Sequence, residues 1–539
     1  MHDKTRPGSP RRRRAALALT AAAVAVGLAA GVTALTLSAA AQPTGTAGSG
    51  LDPRITAIMD KPGYRHAQWG LLEVGSAGKV IHSMFPGQFF IPGSVTKLFS
   101  VSAALNALGP GHRFTTPVYA VGQRQGTTLA GNLVLVGQGD QSLGGRTTPS
   151  GGIAYTNIDH GDANALPGAT LTPQDPLAGL DALARQVRAT GIRQVTGNVI
   201  VDDRLFGMSA MKPNPTPLMI NDNLIDLLTS PGSGPGAPAT LSWRPQVAPY
   251  QVTSSVRTVA AGRATDIAIS TSADGTRISL SGTIAANAQP VLRVSDITDP
   301  AAFGRTAFIE ALARAGVSVT ATPTGPNPVA QLPRSYPGDP RVAAYTSPPY
   351  GDYARFILKV SSNIGSNLAI CQLAVTAGSH DCADGFAVIR SFLQRAGIDP
   401  AQVQFADGRG DDPVDRVTPQ AAVQLLRYWM TTPYAAQFRQ SLPILGVDGS
   451  IYYSCTSCAA KGKVFAKTGS RIGGDYVNGR YSVQAKSLSG YLQAGNGSFD
   501  VFFLATNGAV AANAEAAALG TGDDLASIAA ILQQDAASG

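Results

Sequence analysis

Ser94 and Lys97 stand three residues apart where an apolar run breaks at Pro92-Gly93 and a helical pattern begins. Val95, Leu98, Val101, Leu105 and Leu108 then recur at helical spacing. Residues three apart on a helix are neighbours, so the Ser94 hydroxyl and the Lys97 amine can meet. An amine kept neutral by burial can take the hydroxyl proton and leave a nucleophile. The start of a helix also offers unpaired N–H groups to a developing oxyanion.

Ser-x-x-Lys alone is a weak signal, since Ser76/Lys79 and Ser209/Lys212 repeat it. The first repeat falls between two strand-like runs and reads as a hairpin turn. The second runs into Pro213 and Pro215, which block a following helix. Only Ser94 has a strand, a turn and a helix around it.

The elements that must hold this pair come from all along the chain. A helix over Asp52–Asp60 and two strands precede Ser94. From Phe114 to about Arg341 short β-like runs alternate with Gly, Pro and Asp turns, with helical pieces at Asp175–Thr190 and Ala302–Ala315. A Pro/Gly-rich stretch at Ser230–Pro238 opens a nested β-rich segment reaching to about Ala288. Helices return at Asp352–Val360 and Ile364–Ala377, and Thr418-Pro419 caps and starts another that runs to Met430. Strands at Val464–Thr468, Ser487–Gln493 and Phe499–Ala505 and a last helix at Asp523–Gln533 close the chain.

Two unique motifs follow Ser94 in order: Ser361-Ser362-Asn363 and Lys467-Thr468-Gly469. Ser361, in a break between helices, can bond Lys97 and relay a proton to a leaving amine. Asn363 can hold Lys97 and a substrate amide. Lys467 adds positive charge, and Thr468 can hydrogen-bond a substrate carboxylate. Gly469 leaves room for substrate to lie beside the strand. The N–H groups of Ser94 and Ser470 complete an oxyanion hole.

This ordered set resembles that of the penicillin-recognising serine enzymes. The chain is most similar to class C low-molecular-mass penicillin-binding proteins, the D-alanyl-D-alanine carboxypeptidase/endopeptidase family, of actinobacterial type. The likeness spans residues 50–535. It includes Gly131–Asp140, Gly197–Asp202 and Leu442–Gly449, and the 267-residue gap between Ser94 and Ser361. It implies an α+β fold: a transpeptidase-like domain of antiparallel sheet and flanking helices, built from 50–112 and 342–539. The β-rich accessory region 113–341 is inserted in it, with a nested subdomain at 236–288. It also implies peptidoglycan stem peptides and cross-links as substrates, β-lactams as acylating ligands, and no cofactor or metal. By the same resemblance Asp202 reads the amino end of a diaminopimelate side chain. The sequence departs from the pattern at Gly93, at Ser470 and in Asp407-Gly408-Arg409-Gly410, where an alanine, a threonine and a serine are usual. A secreted β-lactamase and a non-catalytic wall-binding scaffold are the rival readings. The large insert and the missing deacylating-glutamate motif oppose the first, and retention of every reacting group opposes the second.

Charge and cysteines place the chain. The net charge of +8 sits mostly in residues 1–14, which hold Lys4, Arg6 and Arg11–Arg14 against Asp3. The remainder, 36 basic against 33 acidic residues, carries no basic cluster with interleaved aromatics, which excludes a nucleic-acid surface. Arg11–Arg14 precede an uncharged stretch from Ala15 to Ala41, so residues 1–41 are either a cleaved signal or a retained membrane anchor. Both export the rest, and the membrane is met only through that segment. Cys371, Cys382, Cys455 and Cys458 read as disulfides in an exported chain. Three pairings are possible, and the one expected joins each cysteine to its near neighbour, Cys371 to Cys382 and Cys455 to Cys458. Zinc at Cys455-x-x-Cys458 lacks a second ligand pair. Calcium at Asp411, Asp412 and Asp415 is spoiled by Pro413 and the absence of a closing Glu. The six histidines are scattered and are expected to be ordinary surface or packing residues.

Overall fold

A computed structural model describes residues 50–538. The N-terminal segment read as signal or anchor lies outside the described residues. Among the described residues no helix is long and apolar enough to cross a membrane.

One antiparallel sheet organises the parts around Ser94. Its strands run in the order Val464–Asp475, Arg480–Gln493, Phe499–Asn507, Gln68–Val74, Val80–Met84, with Ala509–Ala511 paired to the second. Phe499–Asn507 is buried along nearly its whole length. Alternation is therefore absent from its sequence, because both faces of the central strands are covered. The helices Pro53–Met59 and Thr521–Ser538 cover one face, through Ile55, Leu525, Ile528 and Leu532. On the other lie Lys97–Leu108, Tyr350–Val360, Asn363–Thr376 and Pro419–Met430.

The helix carrying Lys97 is central to that second layer and is buried from Lys97 to Leu105 on every side. Its polar side chains find partners inside: Trp429 Nε1 donates to Ser102 Oγ at 2.7 Å and Ser100 Oγ to the Gly408 carbonyl at 2.9 Å. The Thr418 hydroxyl accepts from the Ala421 N–H, as its cap position predicts. Other boundaries shift. The closing strands run longer than their apolar runs, to Asp475 and back to Arg480, because the two pair with each other past the apolar residues.

Both disulfides are local, Cys371–Cys382 and Cys455–Cys458. The first ties the helix Asn363–Thr376 to the turn behind it, with both cysteines buried. Its closed loop of about a dozen residues is worth about 3 kcal/mol. Replacing both cysteines by alanine is expected to lower stability by about that amount, read as an earlier urea midpoint against the oxidised wild type.

Between the Lys97 helix and Tyr350–Val360 the chain builds a second centre. Thr115–Gln125 pairs antiparallel with Arg341–Thr346, so the segment enters and leaves through neighbouring strands. The full sheet runs Ser318–Val319, Gln194–Val195, Thr128–Val136, Thr115–Gln125, Arg341–Thr346, with Val199–Asp202 parallel to the third. The helices Ala178–Ala189 and Pro300–Arg314 pack with it in a core of its own. Two smaller sheets follow: Val291–Asp296, Leu224–Ser230, Thr240–Arg244, and a four-stranded sheet lying within 251–285.

Candidate active site

Ser94 sits in a tight turn, Gly93–Thr96, that runs directly into the helix Lys97–Leu108. Gly93 makes the turn possible. Its φ is +51°, and a Cβ there would lie 2.6 Å from the Ser470 nitrogen. Gly469 lets the two segments touch from the other side: a Cβ would overlap the Pro92 carbonyl oxygen and lie 3.0 Å from the Ser94 nitrogen. Glycine in place of the usual alanine at 93 thus permits a close approach. It sets the backbones of Ser94 and Ser470 side by side.

Lys97 is fully buried beneath Ser94. Its Nζ lies 2.6 Å from Ser94 Oγ, 2.8 Å from Asn363 Oδ1 and 3.1 Å from the Arg409 carbonyl oxygen. Burial brings its pKa down to about 7, against the pull of Asp162, Asp407 and Asp411. The amine is therefore close to half neutral at neutral pH, as a base for a hydroxyl must be.

Ser361 ends the helix Tyr350–Val360 in the left-handed region, φ 61° and ψ 38°. A non-glycine residue there stores about 1–3 kcal/mol of strain. The strain turns its hydroxyl toward Lys467, whose Nζ donates to Ser361 Oγ at 2.9 Å. The expected Ser361–Lys97 bond is absent, and each lysine serves a different serine. Ser362 caps the next helix by accepting the Gly365 N–H, so that Asn363 opens that helix facing Lys97. Lys467 is also fully buried, and burial followed by the neighbouring Lys97 charge pushes its pKa well down.

Thr468 and Ser470 line the same cavity of about 420 Å³ as Ser94, Ser361 and Asn363. Thr468 Oγ1 lies 2.7 Å from Ser450 Oγ. Two residues before Ser450 stands a pair invisible in the sequence: buried Lys359 bonds both oxygens of Asp448, at 2.6 and 2.7 Å. The Asp407–Gly410 loop closes the far side. Arg409, in the loop that lacks the usual serine, turns its guanidinium to Asp407 and Asp411 and gives its carbonyl oxygen to Lys97.

Asp202 does not belong to this groove. Its carboxylate is taken by Arg204, two residues on, and by the Tyr336 hydroxyl, and it lines neither large cavity. A neighbour of opposite charge within reach of one turn decides its place. The carboxylate from the inserted segment that does line the cavity is Asp162, with no residue motif to announce it. His160, expected to be ordinary, is buried between Asp222 and Asp226, at 2.9 and 2.7 Å.

A serine over a buried lysine, a second lysine–serine pair and an asparagine between them, on an antiparallel sheet flanked by helices, define the class of active-serine penicillin-recognising folds. The chain belongs to the D-Ala-D-Ala carboxypeptidase 3 (S13) family, whose description matches residues 51–528. It is 26% identical over 479 residues to the D-alanyl-D-alanine carboxypeptidase of Actinomadura sp. (strain R39), covering 84% of this chain and 80% of that one. Its fold is similar to that of penicillin binding protein 4 (dacB) from Haemophilus influenzae. The TM-score is 0.66 at 20% identity, over 90% of this chain and 99% of that one. The same protein complexed with a β-lactam gives a TM-score of 0.64.

Proposed function

We propose that this member of the family is a serine D-Ala-D-Ala carboxypeptidase and D,D-endopeptidase of peptidoglycan whose nucleophile is Ser94. The observation that carries the assignment of residues is the 2.6 Å approach of a buried, near-neutral Lys97 to Ser94 Oγ. Lys97 takes the Ser94 proton as Oγ attacks the carbonyl of a D-Ala-D-X bond. The N–H groups of Ser94 and Ser470 stabilise the oxyanion. As the C–N bond breaks, the proton that Lys97 took from Ser94 passes to the leaving nitrogen, with Ser361, held by Lys467, as its relay once substrate lies between them. Asn363 positions Lys97 and the substrate amide, and Thr468 binds the terminal carboxylate; Gly469, expected to make room for substrate, instead packs against the Ser94 turn and does not line the cavity. Water then hydrolyses the ester, and a β-lactam stops the cycle there. No observation favours the β-lactamase or the scaffold reading.

The same reading assigns 50–112 and 342–539 to the catalytic domain and 113–341 to an accessory insert, nested at 236–288. The enzyme acts outside the cytoplasm, with residues 1–41 as the signal or anchor; the basic run, the apolar stretch and two disulfides support this. Release of D-alanine from a stem pentapeptide, beside cleavage of a cross-linked dimer, tests the activity. Neither reaction from folded protein would overturn it.

A further inference from the structure

The segment 157–166 of the inserted region forms one wall of the catalytic groove. Asn157, Asp162 and Leu166 line the cavity that holds Ser94. Asn157 Oδ1 accepts the N–H of Gly449, next to Ser450. Asp162 also lines a second cavity of about 630 Å³, so it stands where the two meet, beside Asn363. Its carboxylate makes no hydrogen bond or ion pair closer than 4.0 Å among the described residues. The charges it faces are Lys97, Lys467, Asp159 and His160. Burial raises its pKa to about 6, so it is ionised at neutral pH.

A buried ionic cluster fixes this wall. His160 gives one ring nitrogen to Asp226 and the other to Asp222, so both nitrogens carry protons and the ring is a cation. Burial opposes that charge, yet Asp226 and Asp222 outweigh it and the nearby Arg146, holding the pKa up to about 10. Arg146 bonds Asp159 and Asp222, lies over the Phe356 ring, and Arg244 pairs with Asp226. Gln141 then links Asp222 to Ser362 Oγ, at 3.2 and 3.0 Å. One chain of contacts therefore runs from the Ser361–Asn363 break, through Gln141 and Asp222, to the residue two before Asp162. Asp159, His160 and Asp222 have the spacing of a metal site. Their donor atoms are spent on one another and on Arg146.

We propose that Asp162 is a positioning residue for the reaction: an anionic wall group, held in place by the buried His160 cluster, that sets how readily Lys97 gives up its proton. The inference rests on Lys97 being the base. The charged groups facing Lys97 are Asp162, Asp407, Asp411, Arg409 and Lys467. Removing the Asp162 charge leaves Lys97 a poorer proton holder, so its pKa falls. Because Lys97 must be neutral to act, the acidic limb of the pH profile should move to lower pH, by about one unit.

The test is the second-order rate of acylation by a fluorescent penicillin between pH 5 and 9, for wild type, Asp162→Asn and His160→Gln. Asp162→Asn should shift the limb downward while keeping the high-pH plateau within about threefold. His160→Gln removes the bonds that tie the wall to Asp222 and Asp226, although Arg146 and Arg244 remain, so Asp162 loses its fixed place and the limb should leave its wild-type position. A limb that superimposes on wild type, or moves upward, in Asp162→Asn overturns the proposal. A shift in Asp162→Asn with none in folded His160→Gln overturns the part given to the cluster. If His160→Gln does not fold, Asp162→Asn alone decides. Wild type that is never acylated would instead sink the assignment of Ser94.

Discussion

Lys97→Ala is expected to lower acylation of Ser94 by a penicillin, and release of D-alanine, by about a thousandfold to ten-thousandfold. The size follows from where Lys97 sits. Among the described residues it is the one amine bonded to Ser94 Oγ, at 2.6 Å, and Lys467 is spent on Ser361 and the Thr468 carbonyl. The variant removes an amine that burial has already brought to about 7, so no buried charge is stranded and folding should survive. Stopped-flow acylation with circular dichroism of the same sample measures both. Acylation within tenfold of wild type in a folded variant would remove Lys97 as base.

The second large effect comes from a residue with no reacting group. Gly469→Val puts a Cβ into the Pro92 carbonyl oxygen and close to the Ser94 nitrogen. Valine suits a strand, so the strand will keep its place and the Ser94 turn must lift. Separating the Ser94 and Ser470 N–H groups by even about 1 Å should cost about a hundredfold in acylation rate. Gly87→Ala is the control: a Cβ there meets nothing within 4 Å, and activity should be unchanged. Gly469→Val retaining full activity would show that contact between strand and turn does not set the oxyanion site.

These effects differ in how far the sequence announces them. Ser94, Lys97, Ser361, Asn363 and Lys467 are legible because three short motifs, two of them unique, occur in one order. Each needs only local context, a turn before a helix or a break between helices. The local disulfides and the Thr418-Pro419 start are readable for the same reason. Asp162 and His160 are not, since they lie in a turn-rich stretch without periodicity. Their meaning comes from Asp222 and Asp226, sixty or more residues away. The Lys359–Asp448 pair is hidden likewise, across 89 positions. Asp202 shows the opposite failure: the motif around it is plain, but Arg204 and Tyr336 claim its carboxylate. The motif spacing predicts Ser361 beside Lys97, whereas from its left-handed backbone its hydroxyl meets Lys467.

The most direct measurement of all is where a penicillin becomes attached. Intact mass after incubation with benzylpenicillin, followed by peptide mapping, should show one adduct on the peptide containing Ser94 and none in Ser94→Ala. Folded protein with no adduct, or with its adduct on another serine, would contradict the site described here.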